Sequence, residues 1–160
     1  MKSAEVKQLE TDFYTLHYQR HPSVPEYARF KRKFEDKTAN GLTNCIITFL
    51  TIRGHQAERI STTGRFVDNR TTFADVCGFS HTIGRGKWIK GNTTKGSADI
   101  SATINGRSVK IEVKIGRDRQ SEDQKQYQHD IEQAGGLYFI AKDLTMFAQW
   151  YNETFKTRGV

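Results

Sequence analysis

Asp99, Glu112 and Lys114 stand at a spacing that puts two carboxylates and an ammonium on one face of a β-hairpin. Residues 98–104 and 107–113 each alternate apolar and polar side chains, the pattern of half-buried strands. Asn105-Gly106 between them is the signature of a two-residue type I′ turn. That turn sets Ile104 opposite Arg107, Ala102 opposite Val109, Ile100 opposite Ile111 and Asp99 opposite Glu112. Opposed residues share a face with Cβ atoms roughly 4.5–5.5 Å apart, and Lys114, two residues on, returns to the same face. Facing carboxylates repel. A hard divalent cation, Mg²⁺ or Mn²⁺, offsets that cost because it takes oxygen ligands and keeps positions for water and substrate phosphate. The plainer alternative is a solvated face in which Lys114 or Lys110 neutralises the acids. The Lys95-Gly96-Ser97 approach and the Glu-x-Lys spacing favour the cation, beside which a phosphodiester could lie.

The flanking segments must hold this hairpin. Ser121 to Gln124 has capping-box spacing, so a helix begins near Glu122. Gln124, Tyr127, Gln128, Ile131 and Ala134 share one face, and Tyr127, Ile131 and Ala134 are expected on the sheet. Gln124 is then either a cap partner only or a side chain facing the strand end that carries Lys114. Gly135-Gly136 ends the helix, and 137–141 reads as a buried strand parallel to its neighbour. At the other end, Ser3 caps a helix over 4–20 with an apolar stripe of Val6, Leu9, Phe13 and Leu16. Pro22 and Pro25 break the chain. A second helix is expected from Ser23-Pro25, with Tyr27, Phe30 and Phe34 on one side and Arg29, Lys31, Arg32 and Lys33 around the rest. A third helix spans 40–53, its apolar face Leu42, Cys45, Ile46, Phe49 and Leu50, ending at Gly54. Short strands are expected at 57–61 and 65–68, while 70–78 shows no clear pattern. Residues 84–91 read as a glycine-rich basic loop. Lys87, Lys90 and Lys95 suit phosphate contacts, and Trp88 either stacks on a base or packs in the core. After Asp143 a last helix places Phe147, Trp150 and Tyr151 on the sheet, and 156–160 frays.

The chain has 160 residues and a net charge of +7. One globular unit and an anionic partner, DNA by default, are expected. No segment reaches the length of a membrane span, and the polar opening helix is not a signal sequence, so a cytoplasmic setting is expected. Two isolated cysteines exclude a zinc ribbon or an iron–sulfur cluster; Cys45 belongs to a helix core face and Cys77 to a buried loop. The five histidines lack ligand spacing, His81 being expected at the surface. Neither a P-loop nor a dinucleotide fingerprint occurs, so no nucleotide cofactor is expected.

Asp99, the gap to Glu112-Val113-Lys114, the segment Gly116-Arg117-Asp118-Arg119, Ser121-x-x-Gln124, and Gly135-Gly136 before the last strand together resemble the virus-type replication-repair nuclease (VRR-Nuc) family of the PD-(D/E)XK superfamily. The match covers residues 95–140. The resemblance implies an α/β (α+β) fold with a restriction-endonuclease-like core, a central mixed β-sheet flanked by helices. Residues 1–37 would be an N-terminal helical extension and 38–160 the nuclease-like domain. It implies Mg²⁺- or Mn²⁺-dependent cleavage of DNA, selective for branched structures such as Holliday junctions, by a bacterial or phage-encoded homodimer. Asp99, Glu112 and the Val113 carbonyl would hold the metal, Lys114 would act at the phosphate, and Gln124 would face the site. Ser97, Arg117 and Arg119 would join Lys87, Lys90 and Lys95 on substrate. One departure stands out: the superfamily often carries a further acid on the helix before the hairpin. Here 42–44 offer only Asn44, with Glu35 two turns earlier. A DNA-binding module without turnover, or a restriction-type sequence-specific endonuclease, are the competing readings.

Overall fold

The computed structural model describes residues 2–29, 31–61, 64–89, 91 and 94–156, the side chain of Lys156 aside. Its helices are α1 (Ala4–Arg20), α2 (Ala39–Thr51), α3 (Glu122–Gln133) and α4 (Leu144–Tyr151). Its strands are β1 (Gln56–Arg59), β2 (Arg65–Asp68), β3 (Thr71–Ala74), β4 (Ser80–Ile83), β5 (Gly86–Ile89), β6 (Ile100–Ile104), β7 (Arg107–Val113) and β8 (Leu137–Ala141). They form two compact units, Met1–Ile60 with Gly96–Val160, and Ser61–Lys95.

The first unit is a mixed α/β layer structure around a sheet of order β1-β6-β7-β8. Its hairpin has the expected register, from Ile104 opposite Arg107 to Ile100 opposite Ile111. Asn105 at φ 49° and Gly106 at φ 77° supply the two positive values that a type I′ turn requires. β1 adds antiparallel to β6 and β8 parallel to β7. One sheet face carries Ile100, Ala102, Ile104, Val109 and Ile111, all at most 2% exposed. Leu42, Ile46 and Leu50 of α2 and Leu144 and Phe147 of α4 complete that core. Val6 and Leu9 of α1 enter it as well, so the first helix is part of this packing. Asp143 caps α4 through the Met146 N–H at 2.7 Å, and Trp150 stacks on Phe139 at 4.4 Å.

The opposite sheet face is polar and carries α3. Ser121 and Gln124 form the expected capping box. The expected burial of this helix is corrected: Tyr127 and Ile131 are only half-buried and Ala134 is exposed. The composition explains it, because α3 offers two large apolar side chains among acids and amides, too few to seal a second core.

The second unit, Ser61–Lys95, holds two nested antiparallel pairs, β2 with β5 and β3 with β4. The expected glycine-rich loop at 84–91 is therefore corrected to strand β5 and the turn before it. Gly84 (φ 96°) lies so close to the Asn69 carbonyl that a Cβ would stand 2.2 Å from that oxygen. Trp88 is 61% exposed, not a core side chain, and Cys77 is exposed rather than buried. Thr62, Thr63 and Lys90 fall outside the described residues, as does the tail at 157–160.

The helix expected after Pro25 is absent. Glu26–Ala28 forms a single 3-10 turn, and 31–38 ahead of α2 holds no helix or strand. The Tyr14 hydroxyl accepts the Arg32 N–H at 2.7 Å, and Phe34 is buried beside Phe13. Tyr27 is 93% exposed and shares no face with Phe34; Phe30 lies outside the described residues. Among the described residues no helix is long and apolar enough to cross a membrane.

Candidate active site

The polar sheet face gathers Asp99, Glu112, Lys114 and Gln124 at one end of the hairpin. Glu112 is 2% exposed, although its face lacks a full core. Its Oε1 accepts the Gln124 amide nitrogen at 2.5 Å and lies 3.2 Å from the Lys114 ammonium. The Tyr138 hydroxyl makes a long contact of 3.5 Å to Oε2. Lys114 continues to Asp118 at 3.3 Å. Lys110, the other candidate to neutralise the acids, instead donates to the Ser101 hydroxyl at 2.6 Å.

Asp99 meets this cluster by a route the hairpin register alone does not specify. The β6–β7 ladder ends at the Ile100–Ile111 pair. Asp99 sits one residue before β6, and its Oδ2 accepts the Val113 N–H at 2.9 Å. Its own carbonyl accepts the Ile60 N–H at 2.8 Å. The carboxylate is thus pinned across the end of β7.

Gln124 resolves the alternatives its spacing left open by doing both jobs. Its Oε1 accepts the Ser121 N–H at 3.0 Å while its Nε2 donates to Glu112. This amide orientation is the only one that gives each atom a complementary partner. The segment ahead of Asp99 is held just as closely. Gly96 has φ 71°, and a Cβ there would lie 2.2 Å from the Asp123 carbonyl oxygen and 2.7 Å from the Gln124 nitrogen. Lys95-Gly96-Ser97 therefore owes its glycine to close backbone approach at the start of α3.

Burial and then the charge of Asp99 push the Glu112 carboxyl up to about 7, against the pull of Lys114 and Tyr138. Burial pulls the Lys114 ammonium down, yet hydrogen bonds and charge from Glu112 and Asp118 outweigh it and leave it raised. Burial, followed by the Glu112 charge, raises the Tyr138 phenol. An added positive charge would relieve the strain on Glu112. The donor set fits such an ion: two carboxylates and the Val113 carbonyl are hard oxygen donors. A carboxylate has about four lone-pair sites, more than the donors from Gln124, Lys114 and Tyr138 around Glu112 and from Val113 on Asp99 occupy among the described residues. Among the described residues no group of three or more His, Cys, Asp or Glu side chains gathers as a metal cage.

Ser97 is buried next to this cluster in sequence, and Arg117 and Arg119 are exposed in the loop between β7 and α3. Lys87 and Lys95 are exposed in the Ser61–Lys95 unit. Asn44 is exposed on α2, and Glu35 pairs with Lys33 at 2.8 Å. Sequence reasoning missed Asp118 and Tyr138. Tyr138 carries the only side-chain polar atom in β8 and pairs in register with Lys110, which could have placed it on the Glu112 face. Asp118 is four residues past Lys114 in a loop, where no periodicity signals it.

Comparison with models of known protein families, with characterised proteins and with solved structures found no match in any of the three.

Proposed function

We propose that this chain is a metal-dependent DNA endonuclease of the VRR-Nuc type, cutting phosphodiester bonds in branched DNA. The observation that carries this reading is the buried Glu112 bonded to both Lys114 and Gln124, with Asp99 clamped on the neighbouring Val113 N–H. Asp99, Glu112 and the Val113 carbonyl would hold Mg²⁺ or Mn²⁺. Such an ion, when bound, polarises a phosphate oxygen and makes a bound water more acidic. Lys114 carries an ammonium at 8% exposure in the Glu-x-Lys position. It orients the attacking water or stabilises charge developing on the phosphate. Gln124 fixes the Glu112 carboxylate from the first turn of α3, and Tyr138 flanks its other oxygen. Arg117 and Arg119 take DNA phosphates from the adjoining loop, and Ser97 positions substrate. A net charge of +7 suits a polyanion and implies steep salt dependence. A cytoplasmic setting and a homodimer able to cut both strands belong to the same reading.

The test is a nicking assay on junction, flap and linear DNA with Mg²⁺, Mn²⁺ or EDTA. Cleavage with either metal and none in EDTA is expected, with Lys114→Ala losing cleavage and keeping DNA binding. A Lys114→Ala protein that cuts at the parental rate would overturn the assignment. The sparse donor set, with exposed Asn44 where the resemblance expects an acid, favours one second reading: a DNA-binding module without turnover. DNA binding with no metal-dependent nicking on any substrate would select it. Discrete fragments from long duplex DNA would instead mark a restriction-type enzyme.

A further inference from the structure

The chain leaves the first unit at Ile60, whose N–H donates to the Asp99 carbonyl, and returns at Gly96. Between these points, β2 to β5 form a two-stranded ribbon without a core. Every residue of its four strands is exposed except half-buried Val67. An isolated two-stranded ribbon is marginally stable in water, so this one is built to be covered.

The chemistry of its faces says by what. Phe66 and Trp88 pair across β2 and β5 and share one face, 55% and 61% exposed. Each ring takes space that only a glycine leaves free: the tip of Phe66 at Gly86 and the Nε1 side of Trp88 at Gly64. Both rings stay more than half exposed. Arg65 and Lys87 point to the other face, exposed as well. Residues 61–95 carry six Lys and Arg against two Asp, a net +4 of the chain's +7. Both acids are already engaged inside the ribbon, Asp68 with Arg70 at 2.6 Å and Asp75 with His81 at 2.8 Å. A second copy of so cationic a ribbon would meet like charge. A polyanion with flat apolar rings would not.

We infer that the β2–β5 ribbon binds unpaired nucleotides, their bases stacking on Phe66 and Trp88 and their phosphates drawn by the ribbon's net positive charge. Stacking on aromatic side chains tolerates any base and needs it unpaired. The ribbon thus selects DNA with single-stranded segments, such as flaps and open junctions. This inference rests on the reading of the chain as a protein that acts on DNA, and it extends that reading to the class of substrate.

The experiment is fluorescence anisotropy of the full chain in EDTA with labelled oligothymidylate and with a duplex of equal length. Oligothymidylate is expected to bind more tightly than duplex. The double variant Phe66→Ala, Trp88→Ala should weaken its binding by about tenfold or more. The chain's thermal midpoint should hold, since neither ring joins the core, and Trp88→Phe should restore much of the affinity. Double-variant binding at the parental affinity, or a parental preference for duplex, would overturn the inference. So would a parental dimer that this variant converts to monomer without change in oligothymidylate affinity, which would assign the ribbon to a second copy. Because EDTA removes cleavage, the two readings fail separately. Oligothymidylate binding without Mg²⁺-dependent cutting would sink the nuclease and spare the ribbon; cutting without ribbon-dependent binding would do the reverse.

Discussion

Glu112 stands in electrostatic conflict with its surroundings. Its carboxyl is buried beside Asp99 and is pushed from an ordinary 4.5 to about 7. A carboxyl with a raised folded-state pKa contributes most to stability below its unfolded value and loses that contribution as pH rises. Without divalent cation, the protein should lose roughly 3 kcal/mol between pH 4.5 and 7 from this group. Thermal midpoints across that range should fall, Glu112→Gln should flatten the slope, and Mg²⁺ should raise the midpoint more at pH 8 than at pH 5. A midpoint insensitive to both pH and Mg²⁺ would remove the metal assignment. Gln124→Ala takes a donor from Glu112 and the acceptor from the Ser121 N–H. The acid limb of the pH–rate profile should move to higher pH, because the carboxylate form loses a hydrogen bond.

Gly96 shows how one element positions another. An alanine there meets the Asp123 carbonyl at 2.2 Å and sits at φ 71°. The left-handed conformation alone costs a non-glycine residue roughly 1–2 kcal/mol, and the backbone clash adds to it. Gly96→Ala should lower the denaturant midpoint and reduce cleavage, whereas Gly54→Ala, with φ 84° and open space around it, should lower stability only. The hairpin and α3 were legible because their signals are local. Asn105-Gly106 sets a register within its own two residues, and Ser121 with Gln124 closes a box across one turn. The segment after Pro25 departs from its local helix signals because a distant contact holds it, the Tyr14 hydroxyl on the Arg32 N–H. Residues 84–91 looked like a loop because the glycines hid a strand. Gly86 makes room for the Phe66 ring, a requirement visible only once β2 lies alongside.

The fold ties its first helix to the core that supports the site. Val6 and Leu9 are 0% and 1% exposed within the cluster that backs β6 and β7. Leu9→Ala should cost about 2–5 kcal/mol, read from the urea midpoint. Deletion of residues 1–20 should leave a chain that does not fold, which is the sharpest test of whether 1–37 is a separable extension.

The alternation of β6 and β7, their turn and the caps of α1 and α3 could be read directly from residue order. So could Asp99, Glu112 and Lys114 as one group, because strand period and turn type act over a few residues. Three things needed the folded chain: the clamp of Asp99 on the Val113 N–H, the arrival of Tyr138 and Asp118 beside Glu112 and Lys114, and the coreless ribbon at 61–95. Each depends on which distant segments lie side by side. That choice is made by the packing of the sheet and its helices, which no local pattern of residues encodes.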